Sequence, residues 1–193
     1  MRKAFYLLVF GIAMLLPAFG QGSPAARKID NEFVQRQFGR EFTLLPDIAP
    51  VFGDLDGDGV EDVVIAARCK NPMLDQGDHS YTVMDPYYDF FGYGNPTVTT
   101  TFIEPNPVLR GLVVLVIYGA GNDGWRSATP KAKFVIVHLP YRTISVRKMK
   151  LRKRTVEAIY VDEAGESGET GESAAVFFDG KKFRYVPMGG SME

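Results

Sequence analysis

The chain has one cysteine, two histidines and one tryptophan among 193 residues. A single thiol, Cys69, excludes an intramolecular disulfide and a four-thiolate metal site. His79 and His138 show no metal-ligand spacing to one another, and there is no HExxH, Gly-x-Ser-x-Gly or glycine-rich phosphate loop. No residue is therefore assigned a catalytic role, and an enzyme is the minor reading. A charge excess is missing too. With 22 basic and 23 acidic residues the net charge is −1, which exerts no global pull on nucleic acid or anionic membranes. At 46% apolar and 23% charged residues, the composition is that of a globular domain rather than a disordered or collagenous chain.

Long apolar runs are likewise absent, apart from one at the N-terminus. Arg2 and Lys3 precede an apolar stretch from Ala4 to Leu16, followed by Pro17 and the small-residue segment Ala18-Phe19-Gly20. The run is shorter than the ~20 residues a spanning helix needs. It reads as a signal peptide over residues 1–20, cleaved before Gln21; an uncleaved anchor is the alternative. The mature domain, 21–193, is then secreted or periplasmic, with no stable membrane span after cleavage. Cys69 is expected to be buried and inert.

Within that domain Ser23-Pro24 predicts a helix start, and Ile29, Phe33, Val34 and Phe38 recur at near-helical spacing, giving a helix over 24–38 closed by Gly39. Beyond it the period changes. Val60 to Ala67, Leu112 to Tyr118, Phe134 to Leu139, Thr143 to Val146, Val156 to Val161, Ala174 to Phe178 and the segment after Asp179-Gly180 read as strands. Leu112 to Tyr118 is apolar at every position, as in a strand covered on both faces. No helical pattern separates these strands. The expected fold is mainly β (β-rich α+β): one helix, then an antiparallel meander of about six or seven strands.

Two segments interrupt the rhythm. Residues 70–110, with Pro72, Pro86, Pro96, Pro105 and Pro107, read as a long irregular insertion. Its aromatic residues Tyr81, Tyr87, Tyr88, Phe90, Phe91 and Tyr93 are expected to pack the loop down, with an exposed platform for a glycan or protein partner as the alternative. Residues 165–173, GESGETGES, read as a solvated acidic loop. The basic run Arg147 to Arg154 is expected to be a solvated strand edge, or to be screened by the acids from Asp162 to Glu172.

One motif carries chemistry. Residues 54–62 read DLDGDGVED. Asp54, Asp56 and Asp58 occupy positions one, three and five of a loop that Gly57 and Gly59 allow to curl, and Asp62 occupies position nine. Ca²⁺ takes about six to eight oxygens at ~2.3–2.6 Å. The expected ligands are the carboxylates of Asp54, Asp56, Asp58 and Asp62 and the backbone carbonyl of Val60. Position twelve is Ile65 where an EF-hand needs a bidentate glutamate, and Val63-Val64-Ile65 favours a strand over an exiting helix. A plain solvated acidic turn is the bland alternative.

This loop resembles the FG-GAP or VCBS-type calcium loop of integrin-like proteins, with Asp54, Asp56, Asp58, Gly59 and Asp62 on its pattern and Val63-Val64-Ile65 as its strand. Phe52-Gly53 stands for the family's Phe-Gly pair. Ala66-Ala67-Arg68 replaces the frequent Gly-Ala-Pro, so only the middle alanine agrees. The resemblance implies bound calcium, a β-propeller blade and extracellular recognition. A propeller repeats blades of ~40–45 residues, whereas one loop is present here. The expectation is thus a single blade-like motif in a small domain: an exported calcium-binding module that meets an extracellular protein or glycan and no nucleic acid. A periplasmic or secreted hydrolase, with its site between the calcium loop and the insertion, is the alternative.

Overall fold

The computed structural model describes residues 28–99, 110–164 and 170–188. The expected signal peptide and residues 165–169 of the GESGETGES loop lie outside them. The first element is helix α1, Asn31–Phe38. Asp30 caps it, its carboxylate accepting the Phe33 amide at 2.9 Å, which satisfies one of the free N–H groups of the first turn. The helix expected over 24–38 is therefore shorter on the described side: Lys28 to Asp30 precede it, and the Ser23-Pro24 start lies outside the described residues. Phe33, Val34 and Phe38 form its buried face.

Strands β1 (Thr43–Leu44), β2 (Val51–Gly53) and β3 (Asp62–Arg68) follow. The segment expected to be irregular then holds short regular pieces: helix α2 (Gln76–His79), strand β4 (Thr82–Met84) and helix α3 (Pro86–Phe91). Such short pieces carry no periodicity that a sequence window can register. Proline in the first turn of α3 and the Asp85 cap explain why a proline-bearing segment can still be helical there. Strands β5 (Leu112–Tyr118) and β6 (Ala132–Ile136) flank a 3₁₀ segment at Gly121–Arg126. The chain ends in β7 (Thr143–Lys150), β8 (Thr155–Ala164), β9 (Thr170–Phe178) and β10 (Phe183–Pro187). Among the described residues strand accounts for 39% and helix for 17%, so the fold is mainly β.

The strands form two sheets. The second is a meander in the order β10-β9-β8-β7, and Asp179-Gly180 makes its last turn. The first is not a meander: its order is β1-β3-β5-β6-β4, with β2 also on β3, and β4 runs parallel to β6. The β4–β6 crossover passes through β5, whose partners lie on both sides of it.

The core explains this arrangement. Val64, Ala66, Val114, Val116 and Ile136 pack against Ile159, Val161, Val176 and Phe183 of the second sheet. The alternate residues, Val63, Ile65, Val113, Leu115, Ile117 and Val135, pack against Phe33, Val34 and Phe38 of α1. β3 and β5 are thus covered on both faces, which is why they are apolar without alternation. Each such buried aliphatic side chain contributes roughly 1.5–3 kcal/mol. The layers are helix, sheet and sheet, and the acidic loop between β2 and β3 lies at the end of the inter-sheet core, where Leu55 joins it.

Candidate metal centre

The loop begins where β2 leaves β3. Gly53 and Asp62 are the last residues paired across the two strands, so residues 54–61 close a hairpin. Gly57 and Gly59 take positive φ, 79° and 83°, a region that a side chain disfavours. This curl turns backbone amides onto the loop's own carboxylates. Asp54 Oδ1 accepts from Gly57 N at 2.9 Å and Asp58 N at 3.0 Å, and its Oδ2 from Gly59 N at 2.9 Å. Asp56 Oδ1 accepts from Asp58 N at 3.2 Å, and Asp58 Oδ1 from Val60 N at 2.9 Å. The loop's own amides thus orient its carboxylates. Asp54, Asp56 and Asp58 each bring one carboxylate oxygen within 4.8 Å of the others. That all-oxygen donor set suits a hard cation.

A cationic side chain already lies against the triad. Lys131 immediately precedes β6, and its N–H donates to the Tyr118 carbonyl at 2.9 Å, which brings its side chain to the loop. Its ammonium donates to Asp56 Oδ2 at 2.6 Å and to Asp58 Oδ2 at 2.7 Å. These bonds raise the Lys131 pKa, and the Lys131 bond followed by the Val60 amide lowers that of Asp58. The lysine side chain is about half-exposed, so each pair contributes only ~0–1 kcal/mol.

Asp62 is arranged differently. It is buried, its Oδ2 accepts from Leu55 N at 2.8 Å, and its Oδ1 from Gly119 N at 2.8 Å. Both carboxylate oxygens therefore hold main-chain amides, one within the loop and one at the end of β5. Burial raises its pKa to about 6 against these two hydrogen bonds. The triad of converging carboxylates is Asp54, Asp56 and Asp58; Asp62 anchors the loop to the sheet. Val60 is half-buried and enters through its N–H.

No protein-family model, curated protein or solved structure matches the chain. The likeness to calcium loops thus rests on the loop's own residues and geometry.

Several neighbours escaped the sequence reading because they come from distant segments. Glu61 Oε2 accepts from Trp125 Nε1 at 2.9 Å and Arg126 Nη1 at 3.1 Å, clamping the loop to the 3₁₀ segment. Glu157 Oε2 on β8 accepts the Asp54 amide at 2.7 Å. Gly53 makes this approach possible, since a Cβ there would lie 2.3 Å from Glu157 Oε2 and 2.6 Å from Val146 Cγ1. Tyr118 is buried beside the loop, and its hydroxyl has no hydrogen-bond partner. Burial, then the Asp62 and Asp56 carboxylates, raise its pKa strongly.

The remaining candidates are dispersed. Cys69 is buried in the helix-side core, and burial raises its thiol pKa to about 12. His138 Nδ1 lies 2.7 Å from Asp85 Oδ2, and its ring stacks on Tyr88 at 4.1 Å. It is buried. Cys69 and His138 thus have separate surroundings. His79 lies on α2. Of the aromatic cluster, Tyr81 is core and its hydroxyl donates to the Pro72 carbonyl at 2.7 Å, while Tyr87 packs edge-on to Tyr185. Phe90, Phe91 and Tyr93 are exposed.

The basic run forms the end of β7 and the turn to β8. β7 is an edge strand, as the edge reading expects. Of the acids expected to screen it, only Asp162 has a described side chain, and it lies far from the basic turn. Lys150 pairs with Thr155 at the turn, whereas Asp162 pairs with Thr143 at the far end of the ladder, roughly 23 Å away at ~3.3 Å per residue. The basic turn instead approaches the acidic loop.

Proposed function

We propose that the protein is an exported calcium-binding domain that serves as a binding module, with the ion held by Asp54, Asp56 and Asp58. The observation that carries this reading is the convergence of three carboxylate oxygens within 4.8 Å on a loop whose amides already orient them. Lys131 supports it, because a group of carboxylates that recruits an ammonium is a place where positive charge is favoured. Calcium would displace that half-exposed ammonium at small cost and take its remaining oxygens from water and the main chain, the Val60 carbonyl being the expected donor there. The ion's role in this reading is to hold the loop and the start of β3 in place for a partner outside the cell.

Titration calorimetry on chelator-stripped protein, paired with thermal unfolding, tests the proposal. Extracellular calcium modules bind at ~10⁻⁴–10⁻³ M. With a constant of ~0.1 mM, ~1 mM calcium stabilises the fold by about 1.4 kcal/mol, or roughly 3–6 °C in Tm. Absence of heat and of a Tm shift up to several millimolar calcium would leave the loop as an acidic turn neutralised by Lys131.

A further inference from the structure

Strand β3 starts beside the acidic loop and ends at Arg68, roughly 20 Å away at ~3.3 Å per residue. A surface hollow of about 660 Å³ lies at that far end, where Arg40, Arg68, Lys70 and Arg110 line it together with one carboxylate, Glu41. Three separate segments supply these side chains, and the strand ladders explain why they converge. Arg68 pairs with Thr43 of β1 on one side and with Leu112 of β5 on the other. The next residue, Cys69, donates its N–H to the Gly111 carbonyl at 2.8 Å. That bond carries the contact between the two segments one step further and leaves Lys70 and Arg110 as neighbours. Arg68 Nη1 donates to the Arg110 carbonyl at 3.5 Å. Arg40 and Glu41 enter from the turn between α1 and β1.

Like charges held side by side on a sheet repel and destabilise it. Here three guanidinium groups and an ammonium share one hollow, and among the described residues none of the four makes an ion pair. Glu41 is the only acid in the lining, so four cations against one carboxylate leave a net charge of +3 there. Asp75 packs against Gly39 and does not line the hollow. Backbone pairing, rather than counter-charge within the chain, thus keeps the cations together. A tetrahedral oxyanion answers that arrangement, because the planar fork of arginine matches phosphate oxygens with paired N–H donors. The net charge favours a dianion over a monoanion. We propose that this hollow binds a dianionic phosphate group, held by Arg68 and Arg110, with Lys70 and Arg40 completing the charge. A water takes about 30 Å³ in the liquid, so there is also room for an organic body, and either a small phosphate monoester or the free ion fits. The proposal does not depend on the calcium reading, which concerns the opposite end of β3.

The test uses the full chain in chelator, so that calcium cannot take up phosphate, at low salt and about pH 7.5, where a phosphate monoester with a second pKa of about 6 is mostly dianionic. Glucose 6-phosphate, inorganic phosphate, glucose 6-sulfate and glucose are titrated by calorimetry. The expected result is saturable binding of phosphate that weakens as salt is added, weaker binding of the sulfate monoanion, and no heat from glucose. Tighter binding of glucose 6-phosphate than of inorganic phosphate assigns the hollow to an organic phosphate; equal binding assigns it to the free ion. Both outcomes support phosphate recognition. Arg68→Gln and Arg110→Gln should each weaken binding about tenfold, and Glu41→Gln should strengthen it several-fold. Arg68→Lys, which keeps the charge and loses the fork, should fall between Arg68→Gln and the parent. Lys150→Gln, on the β7–β8 hairpin, removes the same charge from the chain and should leave the affinity unchanged. Thermal unfolding without ligand confirms that each variant is folded. No saturable heat from either phosphate overturns the proposal, as does a sulfate ester that binds equally well. So do Arg68→Gln and Arg110→Gln variants that bind as the parent does, or a Lys150→Gln variant that loses as much affinity as they do.

Discussion

The ammonium of Lys131 lies 2.6 Å from Asp56 Oδ2 although 75 residues separate them in the chain. Antiparallel pairing of β5 with β6 creates that meeting, with Tyr118 opposite Ala132 at the end of the ladder. In the proposed calcium reading, the lysine would both stabilise the loop without the ion and compete with the metal for Asp56 and Asp58.

Replacing it should separate those roles. Lys131→Met is expected to raise calcium affinity by about three- to tenfold, on the order of one surface ion pair or slightly more. In chelator the same variant should melt below the parent, because Asp56 and Asp58 then repel without compensation. Calorimetry and thermal unfolding on the two proteins check both halves. An unchanged calcium constant would show that the ammonium and the ion do not share a site.

Asp58 and Asp62 should respond in opposite ways. Asp58→Ala removes a carboxylate of the triad and should abolish most of the calcium-dependent shift in Tm while changing the chelator Tm little. Asp62→Asn keeps the size but turns an amide N–H₂ toward either the Leu55 or the Gly119 N–H, leaving a buried donor unpaired. A loss of about 1–3 kcal/mol in chelator is expected, measured by denaturant unfolding. Equal behaviour of the two variants would contradict the division of labour between ion triad and anchor.

The thiol of Cys69 should be silent in the native state. Burial raises its pKa to about 12, and the thiolate is the reactive form. Ellman's reagent is expected to modify it only as fast as the core opens, so the rate should follow unfolding free energy across a urea series. Immediate stoichiometric reaction without denaturant would contradict its place among Phe38, Phe42 and Tyr81.

The last hairpin should weaken in acid. Burial alone would raise the Asp179 pKa, but the Lys182 amide, the Arg184 guanidinium and the Lys181 amide outweigh it and hold it at about 2. The folded value lies below the ordinary aspartate value of 3.8, so the stabilisation is present above pH ~4 and lost as pH falls toward 2. Up to about 2 kcal/mol is involved. Asp179→Asn should lower stability at pH 6 and flatten the decline between pH 4 and 2, read by urea unfolding at each pH.

What the sequence alone determined about this protein is local. The Asp54-Asp56-Asp58 spacing with Gly57 and Gly59 specifies a curled loop within a few residues, because backbone freedom and side-chain reach are settled there. Asp179-Gly180 specifies its turn for the same reason. The unbroken apolar run of β5 announces burial on both faces, since no solvent-facing position exists to be polar. The tertiary structure decided the rest. Asp62 carries the same carboxylate as its neighbours, but the last pair of the β2–β3 ladder and the nearby Gly119 amide turn it inward to two amides. Lys131, Tyr118 and Arg154 reach the loop only through the registers of β5–β6 and β7–β8. The short pieces α2, β4 and α3 are too brief to show a period, and β4 is a strand because β6 gives it hydrogen bonds. Pairing over such distances depends on which apolar faces meet, and no short stretch of sequence contains that choice.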